Sequence, residues 1–169
     1  SAKGVRISDP IHSLGLHACP ATDIRLKNTE AALVGEETQG QTYFEKMADR
    51  MSVAAAAMSA GIMQGAFDEA LNYSRKRFQG GREIIRWSEM QMILADMALK
   101  VQNVKMTVSR ACQAIDTEEN GWRQCSRAVA ISSQEAACDL TTSGIQVLGG
   151  VGYMKDFGQE KRFRDAKHI

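Results

Sequence analysis

FEKMADRMSVAAAAMSAGIMQGAFDEALNYSRKR, running from Phe44 to Arg77, is the stretch whose reading decides the fold. Phe44, Met47, Met51, Ala54, Met58, Ile62, Ala66 and Ala70 recur through it every three or four residues, the period of an amphipathic helix. No proline interrupts it, and Ala, Met, Gln, Glu and Arg all lose little side-chain freedom in a helix. The spacing predicts one long helix from Gln41 to about Gln79–Gly81, where the double glycine stops it. The methionines on this stripe are expected to fill core.

Working towards the C-terminus, two more stripes follow. Met90, Ile93, Met97, Val101, Val104, Val108, Ala111 and Ile115 form one, ended by Asn120-Gly121. Trp122, Cys125, Val129, Ala136, Leu140, Ile145 and Leu148 form the other, ended by Gly149-Gly150. Gln159–Lys167 is short, charged and compatible with a helix. Helices of roughly 27 to 37 residues exceed the usual 11–12. With short connections they are expected to pack as antiparallel neighbours in a bundle, closed by a fourth helix or by another subunit.

Working towards the N-terminus, the texture changes. Gly4–Ser8 and roughly Thr22–Lys27 read as short strands, and Ile24 and Leu26 alternate with charged residues as in a half-buried strand. Val34–Gly40 reads as a polar loop. Two or three short strands make no stable sheet alone, so residues 1–40 are expected to be the tail of a β-domain and residues 41–169 a helical bundle. The fold class is thus mainly α, a four-helix-type antiparallel bundle with a short N-terminal β segment.

Composition narrows the function classes. Hydrophobic residues at 44% suffice for a sizeable core. The 21 basic and 20 acidic residues are interspersed, giving net charge +1, which lacks the basic face of a nucleic-acid binder. Val53–Met58 is the longest apolar run, far short of the ~20 residues that span a bilayer, and Ser1–Ile11 shows no signal peptide. Neither nucleic acid nor membrane insertion is expected. Cys19, Cys112, Cys125 and Cys138 show no metal-binding spacing; they are expected to be free, buried thiols, which suits a reducing compartment. His12, His17 and His168 are isolated, so no catalytic triad is indicated. Taken alone, the glycines at 149–152 read as a helix cap, and the cations Arg75, Lys76, Arg77 and Arg82 as helix-end charge or a diphosphate clamp.

Three stretches together resemble the acyl-CoA dehydrogenase C-terminal domain. GIMQGAFDEALNYSRKR (Gly61–Arg77) is similar to that family's first bundle helix, and MQMILADMALKVQ (Met90–Gln102) to its second. TTSGIQVLGGVGYMKDFGQEKRFRDAKHI (Thr141–Ile169) matches the hallmark Q-[VIL]-x-G-G-x-G-[YF] and the following R-D-A-K. Leu33–Gly40 resembles the L-[LV]-G-E-E-x-x-G that leads from the family's middle β-domain into the bundle. The resemblance implies a piece of a longer enzyme, cut before its end.

That resemblance implies FAD as cofactor and α,β-dehydrogenation of an acyl-CoA thioester to the 2-enoyl-CoA, with electrons passed to an electron-transferring flavoprotein. It implies a homodimer or homotetramer, in the cytoplasm or the mitochondrial matrix. An acyl-CoA oxidase and a non-enzymatic helical interaction module are the alternatives. Arg77 corresponds to the arginine that contacts the FAD diphosphate, while Gln146 and Gly150, with Gly149 in the same turn, correspond to residues near the adenine. Glycine at 80 stands where the family has an aromatic. The catalytic base corresponds to a glutamate beyond Ile169; Asp49, in an Asp-Arg pair like that of some branches, is the outside candidate. Without a gap, Met51 takes that place. The Met and Ala residues of Met51–Met58 are expected to suit a broad or branched acyl group.

Overall fold

The computed structural model describes residues 3–169. Ser1 and Ala2, at the head of the expected β segment, lie outside the described residues. Three long helices dominate: α1 (Gly40–Lys76), α2 (Ser88–Asp116) and α3 (Trp122–Leu148), with a short α4 (Gln159–His168) packed on α3 and α1. β1 (Val5–Ile7) and β2 (Ile24–Leu26) precede them, and the hairpin β3 (Phe78–Gln79) and β4 (Arg82–Glu83) joins α1 to α2.

Side-chain pairs fix the helix directions. Asp49 meets Arg127, while Ala66 and Gly144 flank the same Gln159 side chain; numbering rises together, so α1 and α3 run the same way. Lys46, near the start of α1, meets Glu118, just past the end of α2, while Tyr73, Met90 and Gln146 line one groove at the other end, so α2 runs against both. Sequence neighbours are antiparallel, as the short connections predict, but the first and third helices share the most extensive contact. Small residues explain it. Ala56, Ala60, Ala66 and Ala70 on α1 and Ser126, Ser133 and Ala137 on α3 are all buried, letting the two backbones approach. The hydroxyls of Ser126 and Thr141 donate to carbonyls one turn back, at 2.8 and 2.7 Å, which satisfies them without partners across the interface. Met63, Met97 and Leu140 are the largest apolar side chains fully buried there, each contributing about 1.5–3 kcal/mol.

Three expectations are corrected. On the N-terminal half of α1 the buried face is Asp49, Val53, Ala56 and Ala60, whereas Phe44, Met47, Met51 and Met58 are exposed. Alanines at 54–57 leave the apolar period without phase there, so the methionine stripe picked the outer face. Only Met63, on this helix, is core. The strand at Ile24–Leu26 is exposed along its whole length rather than half-buried; it pairs antiparallel with β1, Val5 opposite Leu26 and Ile7 opposite Ile24, and among the described residues no helix packs extensively on the pair. The cysteines are free but not buried: Cys19 and Cys112 are exposed, and Cys125 and Cys138 only partly covered.

The β segment is nonetheless fastened to the bundle. Asp165, on α4, accepts the Leu16 N–H at 2.7 Å, and Arg164 Nη1 donates to the Leu14 carbonyl at 3.1 Å. Between these, Gly15 lies against the Arg164 backbone so closely that no Cβ fits. Leu16 takes the left-handed conformation (φ 51°) to make the turn.

Candidate functional site

A groove of about 480 Å³ opens where the C-terminal ends of α1 and α3 meet the N-terminal end of α2. Its walls are Tyr73, Ile84, Trp87, Met90, Val147 and Leu148, with Arg77, Gln79, Glu89 and Gln146 as its polar side chains and Gly80 and Gly149 completing it. Three residues singled out in the sequence, Arg77, Gln146 and Gly149, are therefore brought together from positions about 70 apart. Gly150 lies next to Gly149 in a 3-10 turn (Gly149–Val151) beside the groove and is exposed. A Cβ at either glycine would meet nothing within 4 Å, so backbone there is open to approach.

The hairpin shapes one side of the groove. α1 ends at Arg77, whose backbone is extended (ψ 117°) and whose carbonyl accepts the Ile84 N–H at 2.9 Å. Gly80 and Gly81 both have positive φ, 67° and 84°, the two-residue turn that matches strand twist. Sequence reading took the double glycine for a helix stop and missed the hairpin; a Gly-Gly pair between Phe78-Gln79 and Arg82-Glu83 is the signal that marks it. Trp87 lies over the turn: a Cβ at Gly80 would stand 3.0 Å from its Cζ2. Its Nε1 donates to the Gln79 carbonyl at 3.4 Å, and the Arg82 guanidinium stacks on its ring at 4.2 Å. Tyr73, Ile84 and Trp87 were not singled out beforehand, because aromatic and aliphatic residues near a turn carry no distinctive spacing.

Charge at this end is mixed in a definite way. Arg75, Lys76 and Arg77 make no ion pair among the described residues, whereas Arg86 pairs with Glu83 at 2.8 Å. α2 starts with no side-chain cap, so its first N–H groups face the groove region with the positive end of the helix dipole. Glu89 occupies one of them. Its own backbone N–H and the Ser88 hydroxyl hold its carboxyl below the ordinary range, against a small opposing effect of burial.

Asp49 lies elsewhere. Twenty-eight residues before Arg77 on one helix, it is about 40 Å away. It is 2% exposed, faces α3, and its Oδ1 accepts from Arg127 Nε at 2.5 Å with Arg123 Nε 3.8 Å from Oδ2. Bonding to Asp49 raises the Arg127 guanidinium further above its usual value. Met51, two residues on, points to the opposite side and is exposed. Among the described residues no cluster of His, Cys, Asp and Glu could hold a metal ion, and no helix is long and apolar enough to cross a membrane.

The donor set fits a dinucleotide. An arginine with no ion pair among the described residues, beside a helix start whose N–H groups Glu89 only partly occupies, suits a diphosphate, an amide side chain and open glycine backbone suit a purine edge, and aromatic walls suit a flat ring.

A bundle of three long helices, with a glycine loop and a cationic hairpin meeting at one end, defines a class of helical domain, and its family follows from comparison. The acyl-CoA dehydrogenase C-terminal domain matches residues 38–169, and the chain belongs to the acyl-CoA dehydrogenase family. Caffeyl-CoA reductase-Etf complex subunit CarC of Acetobacterium woodii is 30% identical over 169 residues, covering 98% of this chain and 44% of that protein. Cyclohexane-1-carbonyl-CoA dehydrogenase of Geobacter metallireducens is 32% identical over 169 residues, again 98% and 44%. Butyryl-CoA dehydrogenase from Megasphaera elsdenii superimposes with a TM-score of 0.94 at 22% identity, covering 99% of this chain and 44% of that one, which establishes the fold. The chain spans less than half the length of these relatives.

Proposed function

We propose that this chain forms the C-terminal bundle of an FAD-dependent enzyme that interconverts an acyl-CoA thioester and its 2-enoyl-CoA. The observation that carries the reading is the convergence of Arg77, Gln146 and Gly149 on one groove. Arg77 would hold the diphosphate of FAD, with Gln146 and the backbone of Gly149 and Gly150 beside its adenine. When bound, the flavin supplies the acceptor for the hydride that leaves the substrate's β-carbon. The α-proton requires a carboxylate base, which the family resemblance puts beyond Ile169. Asp49 serves instead as the buried partner of Arg127, joining α1 to α3. The outward apolar face of α1, with Phe44, Met47, Met51 and Met58, is the surface offered to the acyl chain.

Dehydrogenation is the direction proposed, with electrons leaving to an electron-transferring flavoprotein. The name of the CarC relative, a reductase subunit in an Etf complex, supports that partner and also a second reading, reduction of a 2-enoyl-CoA. The visible spectrum of the natural-length protein tests both. A bound flavin that bleaches anaerobically with a saturated acyl-CoA supports dehydrogenation and identifies the acyl group. A reduced flavin reoxidised only by an enoyl-CoA supports the reductase. A protein with no flavin absorbance and no affinity for FAD removes both.

A further inference from the structure

Residues 149–158 form a loop that gives the groove its rim at Gly149 and enters α4 at Gly158. The far end of this loop is held to α1 by a cluster outside the groove. Arg162 Nη1 meets Glu69 Oε2 at 2.5 Å, and Glu69 Oε1 accepts the Gly158 N–H at 3.2 Å. One carboxylate thus ties both the end of the loop and the first turn of α4 to α1. The guanidinium occupies a slot between two glycines: a Cβ at Gly65 would stand 2.9 Å from its Nε, and one at Gly158 2.6 Å from its Nη1. Glu69 and Arg162 are 24% and 30% exposed, so their pair is screened less than a fully exposed one.

The same face of α1 reaches the groove. Glu69, Tyr73 and Arg77 stand at successive four-residue steps and lie on one side of the helix. Tyr73 is a groove wall, and its ring meets Phe157, just before Gly158, edge-on at 5.8 Å. The helical face that presents the cation is therefore the face to which the loop is fastened.

The geometry points to Glu69 and Arg162 as positioning residues for the groove: their ion pair sets where the glycine loop sits over α1, and with it the gap between Gly149 and Arg77. The inference rests on reading that gap as the dinucleotide site. Neither side chain lines the groove, so both act through the loop.

The test compares the natural-length protein with Glu69→Ala, Arg162→Ala, the double alanine and the swapped pair Glu69→Arg/Arg162→Glu. Three quantities are read: the FAD dissociation constant, amide hydrogen exchange across 149–157, and the melting temperature. Each single variant is expected to weaken FAD binding roughly tenfold and to speed exchange in the loop. The double alanine should be no worse than either single, as for groups that work as a unit, and the swap should recover part of both losses. Loop exchange unchanged in both singles overturns the proposal whether or not flavin binds. So does faster exchange with FAD affinity equal to the parent's, since the pair then holds the loop without setting the groove. A parent that binds no FAD, yet whose loop exchange answers to the pair, sinks the dinucleotide reading and leaves the hold on the loop standing.

Discussion

Arg77 and Glu89 face the same groove with opposite charge, and their substitutions should move cofactor affinity in opposite directions. Arg77 has no carboxylate partner among the described residues, so a diphosphate would be its first. Arg77→Ala is expected to weaken FAD binding on the order of tenfold or more, the loss of a charge-assisted hydrogen bond. Glu89→Gln removes a like charge at the helix start and should strengthen binding a few-fold, about 0.3–1 kcal/mol. A fluorescence titration with FAD reads both; changes of the same sign would mean that the diphosphate sits elsewhere. Asp165 supplies a pH dependence. Burial raises its carboxyl, but the Lys161 ammonium and the Leu16 N–H outweigh burial and hold it below the ordinary value. Its folded-state affinity for a proton is thus lower than in the unfolded chain. The stability it contributes is complete above the unfolded carboxylate value of about 3.9 and is lost as pH falls through the folded value. Asp165→Asn should flatten the fall in melting temperature below about pH 4, because the asparagine still accepts from Leu16 but no longer titrates. An unchanged acid limb would assign that limb to other carboxylates.

Elements differ in how plainly the sequence announces them. α2 is legible because Met97, Val101, Val104, Val108 and Ala111 all recur on its buried face, with polar residues between. The N-terminal half of α1 is legible as a helix but not as an oriented one. Four alanines in a row fit any face, and the face that wins is decided by what α3 offers, namely Arg127 for Asp49 and small residues for Ala56 and Ala60. The groove is legible through Arg77, Gln146 and Gly149 only by resemblance, since its aromatic walls depend on a hairpin of two-residue strands. Two substitutions probe these elements. Leu140→Ala, at a fully buried site on α3, should cost about 2–5 kcal/mol, read by urea denaturation. Gly80→Ala forces a side chain into a left-handed turn residue against the Trp87 ring and should cost about 1–2 kcal/mol. Its effect should fall on the hairpin, disturbing Trp87 fluorescence while the far-ultraviolet helix signal stays intact. A loss of helix signal instead would show that the hairpin is needed for α1 and α2 to form.

At the scale of the whole molecule, apolar surface is left over on two sides. Besides the outward face of α1, α2 carries Met92, Leu99 and Met106 at seven-residue spacing, 73%, 63% and 69% exposed. A row with that period is the seam along which helices pack side by side, and single exposed apolar residues would not need explaining while a row does. Three long helices bury one face of α2 and leave this one free among the described residues. A homodimer or homotetramer, the state implied by family resemblance, is one way to cover it; a further helix of the natural-length chain is the other. Leu99→Glu/Met106→Glu separates them. If the seam joins subunits, sedimentation of the natural-length variant should show a smaller species with the helix signal retained, because each subunit keeps its own core of Met63, Met97 and Leu140. If a further helix of the same chain lies there, two buried carboxylates would lower the melting temperature steeply at unchanged mass. An unchanged mass and an unchanged melting temperature would mean that the row stays in water, and the subunit contact would then have to lie on another face.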